Sequence, residues 1–143
     1  MKNLFPIIVD YSKSLDKMIK AGNYYCVNPE NISQGYFLIQ GQGKHKLSIE
    51  LVHYGKYMKS NGVIRDLNSR SLRPATLPEL LAFGAKYPKI QRKFPIVALG
   101  SVAQNRLGDR YVVYLGGSVS GRVLIMMYDG SWEGNYRFAA VNK

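Results

Sequence analysis

The chain is poor in cysteine, histidine and acid. A single cysteine, Cys26, stands among 143 residues. No intrachain disulfide can form, and no cysteine cluster can hold a metal. That fits a reducing compartment, or a surface protein that does not rely on disulfides. The two histidines, His45 and His53, have no acidic cluster beside them, so surface or turn positions are expected and a metal site is not. Long apolar runs are also missing. Residues 4–9 are too few for a membrane span or the core of a secretory signal, and Asp10 ends the run. The expectation is a chain with no membrane span and no visible signal peptide. Nine Asp and Glu face twenty Lys and Arg, for a formal net charge of +11. A positive field of this size favours polyanions without regard to sequence, but it also describes a well-solvated surface.

Catalytic constellations are absent from the sequence as well. Cys26 has no histidine partner in sequence, and a lone cysteine is more often a small buried apolar residue than a nucleophile. The run Gly116-Gly117-Ser118-Val119-Ser120-Gly121 fails as a nucleophile elbow, because the central residue of its Gly-x-x-x-Gly window is Val119. Gly41-Gln42-Gly43 is no dinucleotide fingerprint, since no helix follows it. Ser14 and Lys17 match a Ser-x-x-Lys spacing that helices produce by chance. Asp129 and Glu133 are the one pair of nearby carboxylates, in a loop beside Trp132 with no sign of a cleft. An enzyme, a cofactor and a bound metal are therefore not expected.

What is present is the pattern of a folded domain. Hydrophobic residues make up 46% of the chain and charged residues 20%. That is the composition of one globular domain over residues 1–143. Residues 12–21 have helical spacing, with Leu15, Met18 and Ile19 on one stripe and Gly22 as the stop. Residues 28–31 read as a turn. Residues 36–40 and 46–54 read as a hairpin around Gly41-Gln42-Gly43, anchored by Leu47, Ile49 and Leu51. Ser60 and Asn61 can start a short helix over residues 63–69. A second helix is better marked: Thr76 and Glu79 fit a capping box, and Pro78 sits in the first turn. Leu80, Leu81 and Phe83 form its buried side, and Tyr87-Pro88 ends it. Residues 94–100, 110–115, 121–128 and 136–141 read as strands. Helices precede strands, which indicates an α+β domain of two or three helices and a small, mostly antiparallel sheet.

The strand over residues 121–128 is apolar on both sides. Val123, Ile125 and Met127 alternate with Leu124 and Met126. Either both faces are covered, as in a central strand, or one face is a contact surface. Tyr24, Tyr25, Tyr36 and Phe37 could stack on bases, which with the net charge keeps a nucleic-acid-binding module as the second functional reading.

Three ordered segments carry a family resemblance. They are Leu72-Arg-Pro-Ala-Thr-Leu-Pro-Glu-Leu-Leu-Ala82, then Ile96-Val-Ala-Leu-Gly-Ser101, then Trp132 with Tyr136-Arg-Phe-Ala-Ala-Val141. Together they resemble a C-type-lectin-type domain, in which an Arg-x-Ala-Thr-x-x-Glu-Leu helix precedes a strand ending in Gly-Ser and the chain closes on a short strand. More narrowly, the chain is similar to the variable proteins of diversity-generating retroelements, including those of archaeal viruses and small-genome microbes. The similarity spans roughly residues 14–143.

That resemblance implies a non-enzymatic binding protein. In the family, adenine-directed mutagenesis rewrites chosen codons near the 3′ end of the gene, and the fold presents the rewritten side chains to a ligand. Here it implies a hypervariable face within about residues 103–135. Ala103, Tyr111, Ser118, Val119, Val123, Ile125, Met127, Tyr128, Ser131, Glu133 and Asn135 would form it, with Leu124, Met126 and Trp132 as scaffold. The implied partner is a protein or cell-surface ligand, at a virion or cell surface. Calcium-dependent lectins use a Glu-Pro-Asn or Gln-Pro-Asp loop near a Trp-Asn-Asp. Asn28-Pro29-Glu30 lies far upstream and in the wrong order, so calcium and sugar coordination of that type are not implied. Formylglycine-generating enzymes share the fold superclass but need late cysteines, and none follows Cys26. Residues 1–13 have no clear place in the pattern, and either an added strand or a part in assembly would account for them.

Overall fold

A computed structural model describes residues 3–30, 32 and 36–143. Among them the chain runs through β1 (Leu4–Asp10), α1 (Leu15–Ala21), β2 (Cys26–Asn28), β3 (Lys44–His53), β4 (Met58–Lys59), α2 (Ser60–Ser69) and β5 (Leu72–Pro74). It continues through α3 (Leu77–Lys86), a 3-10 turn (Ile90–Arg92), β6 (Ile96–Gln104), β7 (Arg110–Ser118), β8 (Gly121–Tyr128), β9 (Ser131–Trp132) and β10 (Arg137–Asn142). The main sheet has the order β1-β3-β10-β6-β7-β8-β2, with β5 also paired to β10. Its ladders are antiparallel except β10–β6 and β2–β8. The domain is α+β, as the order of sequence patterns indicates.

Strand parity divides the core in two. Along β6, Ile96 and Ala98 face one cluster while Val97 and Leu99 face the other. Along β10, Ala139 and Val141 face the first cluster, and Phe138 and Ala140 the second. A pleated strand buries alternate residues on opposite faces, so these strands are covered twice. The first cluster is closed by Leu15, Met18 and Ile19 of α1 and by Leu77, Leu80, Leu81 and Phe83 of α3. The second is closed by Val63 and Leu67 of α2 and by Trp132. Trp132 is buried, and its indole N–H donates to Ser60 Oγ at 2.8 Å, which satisfies the ring's one polar atom.

The segments that carry the family resemblance meet physically. Arg73 forks onto Glu79 with two hydrogen bonds of 2.8 and 2.7 Å, and Glu79 also accepts from the Thr76 N–H at 2.8 Å. The Leu77 N–H, one of the unpaired donors at the start of α3, is taken by Ser101 Oγ at 2.8 Å. The Ala75 N–H donates to the Ala139 carbonyl, and the Gly100 N–H to the Ala75 carbonyl, both at 2.8 Å. A Cβ on Gly100 would lie 2.5 Å from that Ala75 oxygen, so only glycine permits the approach.

Several expectations change. Residues 36–40 form no strand, and Lys44–His53 is no hairpin arm. It pairs instead with β1 on one side and β10 on the other, so the N-terminal segment supplies the partner that the expected hairpin assigned to residues 36–40. The open edge of β1 is guarded: Pro6 sits mid-strand, and its carbonyl accepts from Lys86 Nζ and Tyr87 OH. The short strands β2, β4, β5 and β9 were not legible. Cys26 is exposed on the outer strand rather than buried. Phe37 is a core residue, which removes it from any base-stacking surface. Of the turn at residues 28–31, Asn31 lies outside the described residues.

Burial by itself raises the pKa of Glu79, but the Arg73 fork and the Thr76 N–H outweigh it and hold the carboxyl below its usual value. A depressed carboxylate contributes stability above its unfolded pKa and loses it as pH falls through the folded one. Stability measured by urea unfolding should therefore drop on acidification below about pH 4.5. Arg73→Met should cost on the order of 2 kcal/mol at pH 7, discounted for the partly exposed arginine, and should flatten that acid dependence.

Candidate functional site

The second layer of the domain ends at β7. Val112 and Tyr114 of β7 still pack in or against the cluster around Trp132, whereas no residue of β8 belongs to it. On the other side β8 is sealed: Leu124 is fully buried and Met126 packs against the helix-side core. The alternate residues Val123, Ile125 and Met127 consequently look into a partly open space. Val123 and Ile125 line a groove of about 420 Å³ together with Tyr114, Gly116, Gly117 and Ser118. The segment from Gln91 to Pro95 forms one wall, and Asn135 with Tyr136 the other.

Each wall is held by identifiable contacts. Tyr136 meets Trp132 edge-on at 5.0 Å and Tyr114 at 5.7 Å, and its hydroxyl reaches Met127 Sδ at 3.9 Å. Burial, then the neighbouring Tyr114, raises the Tyr136 hydroxyl pKa. Arg137 lies over the Phe94 ring at 4.1 Å, donates to the Asn135 carbonyl at 3.0 Å, and its own N–H binds the Pro95 carbonyl. Those bonds tie the two walls together at one end.

The opposite wall rests on a buried polar knot. Gln91 and Arg122 are both buried. Gln91 Nε2 donates to the carbonyls of Gly116 at 2.8 Å and Val123 at 3.1 Å. Its Oε1 accepts from Arg122 Nε and Nη2 at 3.2 and 2.9 Å. The same guanidinium donates to the carbonyls of Gly22, at the end of α1, and Gly84, within α3. It also lies 4.8 Å over the Tyr24 ring. Every one of these partners is neutral. Burial accordingly lowers the Arg122 pKa, and burial pushes the Tyr24 hydroxyl up to about 12. Gly117 completes the fit, because a Cβ there would lie 3.1 Å from Arg92 Cα. Gly117 thus admits the 3-10 turn against the sheet.

The residues named from sequence do not share one face. Ser118, Val123, Ile125 and Asn135 line the groove, and Met127, 37% exposed, continues their side of β8. Val123 is nearly closed off at 9% exposure, so it is floor rather than open surface. Tyr128 falls on the other side. It pairs with Tyr111 across the ladder, stacks on it at 4.9 Å, and shares the parity of Leu124. Its 64% exposure comes from its place at the strand end. Ala103 pairs with Tyr111 and is 3% exposed, which corrects its assignment to a surface. Val119 is fully exposed at the β7–β8 turn, and Ser131 and Glu133 are exposed around β9. The wall at residues 91–95 was missed, because a 3-10 turn has no periodic signature and its packing depends on Arg122, thirty residues away.

Asp129 pairs with Arg110 at 3.5 Å, and neither it nor Glu133 lines the groove. His45 and His53 donate to the carbonyls of Gln42 and Gly134. Among the described residues no three His, Cys, Asp or Glu side chains converge as metal ligands, and no helix is long and apolar enough to cross a membrane.

Removing the arginine of the knot leaves three buried oxygen acceptors without a donor. Arg122→Ala should destabilise the fold by about 3 kcal/mol, and Arg122→Lys should recover only part of that, because an ammonium cannot span the same fork. Chemical denaturation of the two variants measures both. Compared with known proteins, the chain matches no family model, no curated protein and no solved structure.

Proposed function

We propose that the chain is a non-enzymatic binding protein, built on a C-type-lectin-like scaffold, that presents exchangeable side chains to a protein or cell-surface ligand. The supporting observation is the parity of β8. Leu124 and Met126 bind the strand to the core, while Ile125 and Met127, one residue away in each case, front a groove and solvent. A sequence rewritten at the second set keeps the fold, because those side chains contribute little to closing the core. The resemblance of residues 72–82, 96–101 and 132–141 to variable proteins of diversity-generating retroelements gives this division a purpose.

On this reading the diversified set is narrower than the sequence suggests. Ser118, Ile125, Met127 and Asn135 form its centre, with Val123 as floor. Tyr111 and Tyr128 form a separate aromatic pair on the other side of the sheet, and Ala103 belongs to the scaffold.

Two libraries test the division. One randomises residues 118, 125, 127 and 135, and the other randomises residues 113, 115, 124 and 126. Most members of the first should remain soluble and melt cooperatively, whereas nearly all members of the second should not. Leu124→Ala by itself should cost about 3 kcal/mol, against less than about 1 kcal/mol for Ile125→Ala. Equal losses in both libraries would sink the division. Independently, gene copies from one population should differ at adenine-templated codons for the first set and agree at the second.

A further inference from the structure

The groove carries charge on one wall only. Arg92 and Lys93 are exposed on the 3-10 turn side, and among the described residues no aspartate or glutamate lines the groove. Lys93 and Phe94 also border an adjoining hollow of about 420 Å³, lined by Asn3, Phe5, Glu50, Leu51, Ile90 and Arg137. The two hollows share Lys93 and Phe94, and together they are lined by Arg92, Lys93 and Arg137 against a single carboxylate, Glu50, in the second. Arg92 and Lys93 have no carboxylate in ion-pair range among the described residues. The buried Arg122 adds a fourth positive charge behind the same wall, also without an anion.

Resting on the binding role proposed above, we infer that the partner is an acidic protein segment. It seats one large apolar side chain on Val123, Ile125 and Tyr114, and sets neighbouring carboxylates on Arg92 and Lys93. The floor calls for the apolar anchor: it is aliphatic and aromatic, and desolvated anchors of that kind dominate interface energies. The wall calls for the carboxylates, because arginine binds them with a planar fork and unpaired cations steer an acidic partner into register. A polynucleotide fits less well. Its phosphates need cations all along the path, whereas the opposite wall of this groove offers Ser118, Asn135 and Tyr136. The exchangeable residues would then tune the fit of the anchor, while the fixed cations set the class of partner.

The test is a phage-displayed library of random 12-residue peptides panned on the immobilised full chain. Enriched peptides should carry Asp or Glu within two positions of Leu, Ile, Phe, Tyr or Trp. Binding of their synthetic copies should fall on the order of tenfold in the R92E/K93E double variant and in Ile125→Asp. It should weaken several-fold between about 50 and 300 mM salt. The charge-matched control Lys17→Glu with Lys46→Glu should bind as the parent does, and thermal melts of all variants should coincide. Peptides that need Ile125 but tolerate R92E/K93E overturn the acidic-partner inference and leave the groove standing. Enriched peptides indifferent to Ile125→Asp, or no enrichment at all, overturn the groove as well. Equal competition by a 20-nucleotide oligo-dT overturns the inference in favour of a polyanion surface.

Discussion

A positive charge with no negative partner organises this domain. Burying an ion is unfavourable unless fixed dipoles replace the water it loses. The Arg122 guanidinium finds them in the ends and interiors of two helices, a glutamine amide and a tyrosine ring. Those partners come from three separate stretches of chain, around residues 22–24, 84 and 91. None can shift without leaving the charge exposed to a low dielectric, so the helices, the 3-10 turn and the start of β8 are fixed relative to one another. The groove wall inherits that rigidity, because the residue that satisfies Arg122, Gln91, is flanked by the cations that face outward.

A second junction lies at the other end of α3, where the Arg73–Glu79 pair, Gly100-Ser101 and β10 converge. It uses a paired charge, backbone hydrogen bonds and one glycine contact, where the first uses a charge with no counter-ion. Between them the two junctions leave the stretch from Ser118 to Asn135 comparatively free of structural duty, apart from Arg122, Val123, Leu124, Met126 and Trp132. Rigid surroundings with an unconstrained surface are what a binding site needs if its side chains are to change without reorganising the whole.

How much of this could be read from sequence depended on the kind of signal. The helix over residues 77–86 was legible because Thr76, Pro78 and Glu79 each act on their own helix end, within a few residues. The strand over residues 121–128 was legible because alternation is local too, whereas the choice of Leu124 and Met126 as its inward set came from the family resemblance. The pairing of β3 was misread because Gly41 and Gly43 suggest a tight turn, while the competing partner, β1, lies far upstream. Tyr128 was grouped with the outward set, although in a strand running through residue 128 it has the parity of Leu124, and the ladder to Tyr111 keeps that parity. The groove itself was invisible, since it exists only where the layer around Trp132 stops short of β8.

The chain has one tryptophan, and it sits in the second core cluster behind the Tyr136 wall of the groove. Its indole is shielded from solvent, bonded to Ser60 at the start of α2, and in edge contact with Tyr136 on the rim. The protein thereby carries a built-in optical probe, whose emission colour follows the integrity of that smaller layer and whose intensity is sensitive to what happens at the neighbouring phenol. Occupancy at the rim and loosening of the layer beneath it become separable by light alone, without attaching a dye.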